Sequence, residues 1–355
     1  MTRHTPSVPL AARLATALAA FTLLTACQAP KRAPEPIDPR TVPVFAGDAT
    51  GIVPWDSFVQ TCADASVVII GEVHGHPLGL EVAADLFDDI LDRSPTAVLS
   101  MEFYERDDQT ALDDYVAGIT SADEFDRATF RNAGNNPPGH RRMVEAARLA
   151  GRPVVGSNAP RRYARLARTE GFDRLRSLTP VQRRHFDIPD ALPDNAYGSR
   201  FRAAMSSMGG HGSMGDSAED PITGFLRSQT LWDVTMAESI ADATAQGSPV
   251  VHVVGRFHSE FGTEPGKSGL ADAVAQRIQP DQRMIIITVV DTDAPSLRVE
   301  DVGRGHFVIY VGPLPQPDPA RPALTDTDRT NEKTASHRDA VFVMSEIGRA
   351  QSSAR

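Results

Sequence analysis

Cysteine is almost missing from this chain, whose only two are Cys27 and Cys62. Cys27 closes an N-terminal leader. Once it is acylated Cys62 stands alone, so neither an intrachain disulfide nor a cysteine-based metal cluster can form. Basic residues are also short, with 36 Lys plus Arg against 46 Asp plus Glu and a net charge of −10. No basic run is present to neutralise phosphates, which argues against nucleic acid as a partner. The motifs HExxH and G-x-S-x-G are absent too, so neither a familiar zinc protease nor a serine hydrolase is indicated.

The leader comes first among the features that are present. Residues 1–26 carry Arg3 and Arg13, then the apolar run Leu14 to Leu24, and end in Leu24-Thr25-Ala26 before Cys27. This is a secretory signal with a lipobox, which makes Cys27 the lipidated first residue of the mature protein and the lipid bilayer its partner. The apolar core is too short for a transmembrane anchor. Gln28 follows in place of Asp, the pattern that favours the outer membrane, with the domain facing the periplasm. Removing Arg3 and Arg13 with the leader leaves 34 basic against 46 acidic residues, a net charge of −12.

Pro34, Pro36, Pro39 and Pro43 make residues 27–50 read as an extended tether. Residues 313–335, rich in proline, Asp and Thr, read as a flexible segment, and 336–355 as a final strand at 340–343 with a tail. The intervening 51–312 is long enough for one large α/β domain.

That domain is organised around Ser66 to His76, SVVIIGEVHGH. Val67 to Ile70 is uniformly apolar and β-branched, as in a strand covered on both faces of a parallel sheet. It runs out through Gly71 into Glu72, His74 and His76, and ligand sites in such sheets lie just beyond the strands' carboxyl ends. Val250 to Val254 repeats the arrangement and ends in Gly255-Arg256-Phe257-His258. Glycine at each strand end permits a sharp turn, after which the imidazole of His74 or His258 can point back over the sheet edge. Two readings stand: paired site histidines, or hydrogen-bonded turn residues.

Further strands are expected at Thr96 to Phe103, Pro153 to Gly156, Met284 to Val290 and Phe307 to Val311. Helices are expected at Trp55 to Ala63, Leu78 to Leu91, Asp108 to Val116, Ser121 to Arg131, Pro138 to Leu149, Pro221 to Gln246 and Ser268 to Ile278. This alternation predicts an α/β fold, a mainly parallel sheet with helices on both faces and added C-terminal strands. Its carboxyl edge would gather Glu72, His74, Glu102, Asn158 and His258. Glu102 must find a partner there, either Arg106 in an ion pair or a site. Asn158 either caps the next helix or supports the site. Met205, Met208, His211 and Met214 recur every third residue in a Gly/Ser-rich stretch. Thioethers and an imidazole at this spacing suit Cu(I) or haem iron, and methionine equally fills gaps.

The chain resembles the ChaN family of lipoproteins. The resemblance rests on G-E-V-H, on M-E-F-Y with Gln109 beyond it, on N-A-P-R at Asn158 to Arg161, on Q-T-L-W-D-V-T-M-A at Gln229 to Ala237, and on G-R-F-H. It implies haem binding and a part in iron uptake at the bacterial envelope, with Glu72, His74, Glu102 and His258 as site positions and Asn158 and Arg161 as supports. His76, Met205, Met208, His211 and Met214 are secondary ligand candidates, and a homodimer is compatible with it. The wider group includes Tiki-type metal-dependent peptidases and erythromycin esterases. The alternative it implies is therefore a metal-dependent hydrolase of peptidase or esterase type, with Glu72 or Glu102 as general base and a divalent metal held by His74 and His258. The chain departs from the family pattern where Phe257 and Ser259 flank His258, and in its methionine-rich loop.

Overall fold

The computed structural model describes residues 37–132, 135–207 and 221–315. Cys27 and its leader, Met208, His211, Met214 and the strand expected at 340–343 lie outside them. Among the described residues no helix is long and apolar enough to cross a membrane.

Eight strands form one sheet: β1 (Val44–Ala46), β2 (Ile52–Val53), β3 (Val67–Glu72), β4 (Val98–Glu105), β5 (Val154–Asn158), β6 (Val250–Gly255), β7 (Met284–Val290) and β8 (Phe307–Tyr310). Their order is β2-β1-β8-β7-β3-β6-β4-β5. The six from β8 to β5 run parallel, and β1 and β2 add an antiparallel edge.

The apolar strands are covered on both faces, as their composition predicts. Val68, Ile70, Leu99, Met101, Val251 and Val253 pack under α1 (Trp55–Ala63), α2 (Pro77–Arg93) and the helix Pro138–Leu149. Their neighbours in sequence, Val67, Ile69, Val98, Val250 and Val254, point the other way, beneath the helices Pro221–Ala243 and Gly269–Ala275. The period-two alternation of side chains thus splits each strand between two cores. Between these helices along the chain come α3 (Gln109–Val116) and α4 (Ala122–Ala128) before α5 (Pro138–Leu149). After it come α6 (Arg161–Arg176), α7 (Pro180–Arg183), α8 (Ala196–Ser207), α9 (Pro221–Ala243), α10 (Arg256–Ser259) and α11 (Gly269–Ala275).

Local chemistry sets the helix starts. Ser121 and Glu124 form a capping box at α4, and the Ser268 hydroxyl accepts from the Ala271 N–H at α11. The strands β1 and β2 and the methionine-rich stretch differ from the sequence reading. β1 falls inside the expected tether because Val44 and Phe45 are buried against β8, and Arg40 beside it pairs with Asp85 and Asp89 of α2. The methionine-rich stretch opens with α8, where Met205 is 5% exposed and packs against Tyr197, Phe201 and Phe257. Its thioether is therefore core filling.

Candidate functional site

β3 and β6 are neighbours in register, with Glu72 opposite Gly255, so the two GxxH segments leave the sheet side by side. The glycines serve close approach here. A Cβ on Gly255 would lie 2.6 Å from His74 Nε2, and one on Gly71 would lie 2.9 Å from the Arg256 Cα and 2.7 Å from Ser259 Oγ. Each motif's glycine makes room for the other motif, and neither has a positive φ. His258 sits in the single turn of α10.

Glu72 is 1% exposed, and both its oxygens are engaged, Oε1 by His74 Nδ1 at 3.1 Å and Oε2 by His140 Nε2 at 2.7 Å. Burial alone would raise its carboxyl, but the imidazoles of His140 and His74 overcome this and bring it down to about 2. The His74 ring is opposed by burial in its charged form, yet the hydrogen bond to Glu72 and the Glu102 charge raise its pKa above the ordinary value.

A second imidazole–carboxylate couple stands across Gly255. His258 Nδ1 lies 2.5 Å from Asp233 Oδ1, and the Tyr197 hydroxyl donates to Asp233 Oδ2 at 2.6 Å. Gln229 Nε2 lies 3.0 Å from His258 Nδ1. Burial works against the charged His258 ring, but the Asp233 and Glu102 carboxylates raise its pKa.

Glu102 bridges the couples. Its Oε1 lies 3.6 Å from His258 Nε2, and its Oε2 accepts from the Gly255 N–H at 2.7 Å and lies 3.6 Å from where a Gly255 Cβ would be. The Arg106 pairing expected as one option does not form, because that guanidinium reaches Glu238, Ser239 and the Thr235 carbonyl. Exposure separates the roles. The side chains of His140 and His258 are 2% and 0% exposed, whereas those of His74 and Glu102 are 10% and 14% exposed. Glu72, His140, Asp233 and His258 support from within, and His74 and Glu102 are the members of the cluster that reach solvent.

The supporting candidates lie apart from this cluster. Asn158 ends β5 without capping α6, and among the described residues its buried Oδ1 has no hydrogen-bond partner. Arg161 pairs with Glu105 at 3.3 Å. Both ring nitrogens of His76 are used by the fold, Nδ1 accepting from the Gly79 N–H at 3.2 Å and Nε2 meeting the Gly312 carbonyl at 3.0 Å. Gln109 bonds the backbone of Val154 and Gly156 in edge strand β5. Among the described residues no group of three or more His, Cys, Asp or Glu side chains is arranged to hold a metal ion.

His140, Asp233 and Tyr197 do not stand out in the sequence. Asp233 lies within the Q-T-L-W-D-V-T-M-A segment that carries the resemblance, four residues after Gln229 and one helical turn along α9, but the segment alone assigns it no role. His140 follows Gly139, whose missing Cβ would meet Leu80 at 2.7 Å, so α5 approaches α2 closely and delivers the ring to Glu72.

The family model for "haem-binding uptake, Tiki superfamily, ChaN" matches residues 58–266. No curated protein matches the chain. Among solved structures, ChaN of Campylobacter jejuni with haem bound cofacially aligns at TM-score 0.56 and 11% identity, over 76% of this chain and 96% of that one. The erythromycin esterase EreC aligns at TM-score 0.40 and 11% identity, over 84% of this chain and 86% of its own. The type III effector HopBA1 aligns at 0.41 and 14%, over 79% of this chain and the whole of that one.

Proposed function

We propose that this chain, which belongs to the ChaN haem-binding uptake family of the Tiki superfamily, binds haem at the carboxyl edge of its sheet and serves haem or iron uptake from the bacterial envelope. Acylated Cys27 would tether it to the outer membrane, facing the periplasm. The observation that carries the reading is His74, the one outward-facing imidazole of the cluster. Glu72 engages its Nδ1, which fixes the ring and leaves Nε2 for a ligand, the arrangement by which a carboxylate orients a metal-binding histidine. Phe103, buried between the rings of His74 and His140, sets its own edge-on against His74 with centroids 5.6 Å apart and lies 3.8 Å from His140, which holds both imidazoles in place. These residues fit haem, with His74 offering iron its imidazole and Glu72 and His140 holding that imidazole in place.

Titration of the purified mature protein with haemin, followed by visible absorption, tests this. Wild type is expected to saturate with a shifted Soret band, and His74→Ala to bind at least tenfold more weakly with an altered spectrum. Identical affinity and spectrum in the variant would overturn the assignment.

A second reading is favoured by the two imidazole–carboxylate couples that flank Glu102, since such couples serve acid–base chemistry. The protein would then be a hydrolase of peptidase or esterase type, with Glu102 the general base on water and a divalent metal at His74 and His258 as an optional part. Glu72, sealed between two imidazoles, would position them. Ester and peptide hydrolysis by wild type that disappears in Glu102→Gln, with haemin affinity retained, would select this reading.

A further inference from the structure

The chain is acidic as a whole, yet its arginines are unevenly spread. Between residues 161 and 185 stand eight arginines against two carboxylates, Glu170 and Asp173. No long run of consecutive basic residues marks the stretch, because the arginines of α6 fall mostly three or four apart and gather only once the helix coils. α6 buries Tyr163, Ala164 and Ala167 and turns Arg162, Arg165 and Arg168 to solvent. The residues just after α7 return to its first turn, where the Phe186 ring lies 4.6 Å from that of Tyr163 and His185 stacks on Tyr163 at 6.4 Å. This brings Arg183 and Arg184, both exposed, to the Arg162 end of α6. Asp107 engages Arg162, while Glu170 and Asp173 engage Arg174 and Arg176. Arg165, Arg168, Arg183 and Arg184 have no carboxylate within 4.0 Å among the described residues. The excess is felt by His185, whose pKa is lowered by burial and by the charges of Arg184, Arg162 and Arg106 despite the nearby Asp107.

Exposed guanidiniums keep their hydration, so the fold needs no partner for them. Their spread decides which partner they suit. A single phosphate would meet one or two of these cations, whereas a layer of phosphodiesters meets cations on both helices at once. Guanidinium pairs with phosphate through two parallel N–H donors. Val181, two residues before Arg183, is 65% exposed, and an apolar side chain beside the cations can enter a headgroup layer. Each such contact is weak and becomes effective when the domain is already held at the surface. Ten positions separate Cys27 from Ile37, a reach of at most about 35 Å. We propose that the arginine face of α6 and α7 docks on a bilayer bearing anionic phospholipids, a second and electrostatic attachment beside the lipid anchor. The membrane in this proposal comes from the envelope reading above, and haem plays no part in it.

Flotation of the acyl-free mature protein, carrying Cys27→Ser, with lipid vesicles supplies the test. Vesicles of phosphatidylcholine alone are compared with vesicles in which phosphatidylglycerol replaces part of it. Binding is expected to the anionic vesicles only, and should fall at least tenfold between about 0.05 M and about 0.5 M salt as the surface charge is screened. Arg183→Glu with Arg184→Glu should weaken binding at least tenfold while thermal unfolding and haemin titration stay unchanged, because both side chains are exposed. Arg183→Lys with Arg184→Lys, which keeps the charges, should retain most of the binding. No binding to the anionic vesicles, equal binding to the neutral ones, affinity indifferent to the charge reversal, or equal affinity for a double-stranded oligonucleotide would each overturn the proposal. The vesicles supply the membrane whether or not Cys27 is acylated in the cell, so failure here removes the arginine contact and leaves the anchor to its own test.

Discussion

Two buried carboxylates make opposite pH predictions. Glu72 is held at about 2 by His140 and His74, below an ordinary glutamate near 4.3. A depressed acid contributes stability that is present above the unfolded value and is lost as pH falls through the folded one, here between about pH 4.3 and 2 and worth about 3 kcal/mol. Glu72→Gln should therefore lower the urea midpoint at pH 7 and lose most of that penalty near pH 2. Asp108 is raised to about 6, by burial first and by Glu105 second. Its contribution is fully present below the unfolded value near 3.9 and is lost as pH rises through 6. Asp108→Asn keeps an acceptor for the Glu105 N–H and should stabilise the protein at pH 7.5 by up to about 3 kcal/mol, with little effect at pH 4. A difference between wild type and variant that does not change with pH would contradict the corresponding assignment. Glu72 and His74 were legible from sequence, since a carboxylate and an imidazole just past an apolar strand have few structural uses. His140 and Asp233 were not, because both sit on helix faces whose approach to the sheet edge is decided by packing partners far along the chain.

Among the elements, the parallel core strands were readable because burial on both faces leaves uniformly apolar runs such as Val67 to Ile70. β1 and β2 escaped because strands of three and two residues beside prolines carry no periodicity. Helix α8 escaped because its first turns contain Gly198 and Ser199, poor helix formers held by contacts of Tyr197 and Phe201 to α9 and Phe257. The GxxH motifs were found, but their glycines were credited with turning the chain, whereas the structure uses them for contact. Gly71→Ala would force a methyl against the Arg256 backbone and should cost about 1–3 kcal/mol of stability, as overpacking does. Gly255→Ala would press on the His74 ring and should weaken haemin binding more than it lowers the denaturant midpoint. Equal losses of both quantities in the two variants would show that the glycines have no separate roles.

The whole molecule carries two expectations that the folded domain does not test, its lipid anchor and its place in the envelope. Cys27→Ser should abolish incorporation of a labelled fatty acid and leave the precursor uncleaved by the lipoprotein signal peptidase, and equal labelling of wild type and variant would end that reading. The order of the strands has another consequence. β6 lies between β3 and β4 in the sheet, although about half the chain separates it from them in sequence. Until residues 250–258 have folded into the sheet, the slot between β3 and β4 has no occupant. His74 then lacks the Gly255 backbone beside it, and Glu102 lacks the N–H that holds it. Proteolytic fragments ending anywhere before residue 258 would therefore be inert toward the ligand. Under the proposed export, ligand capture would report completed translocation.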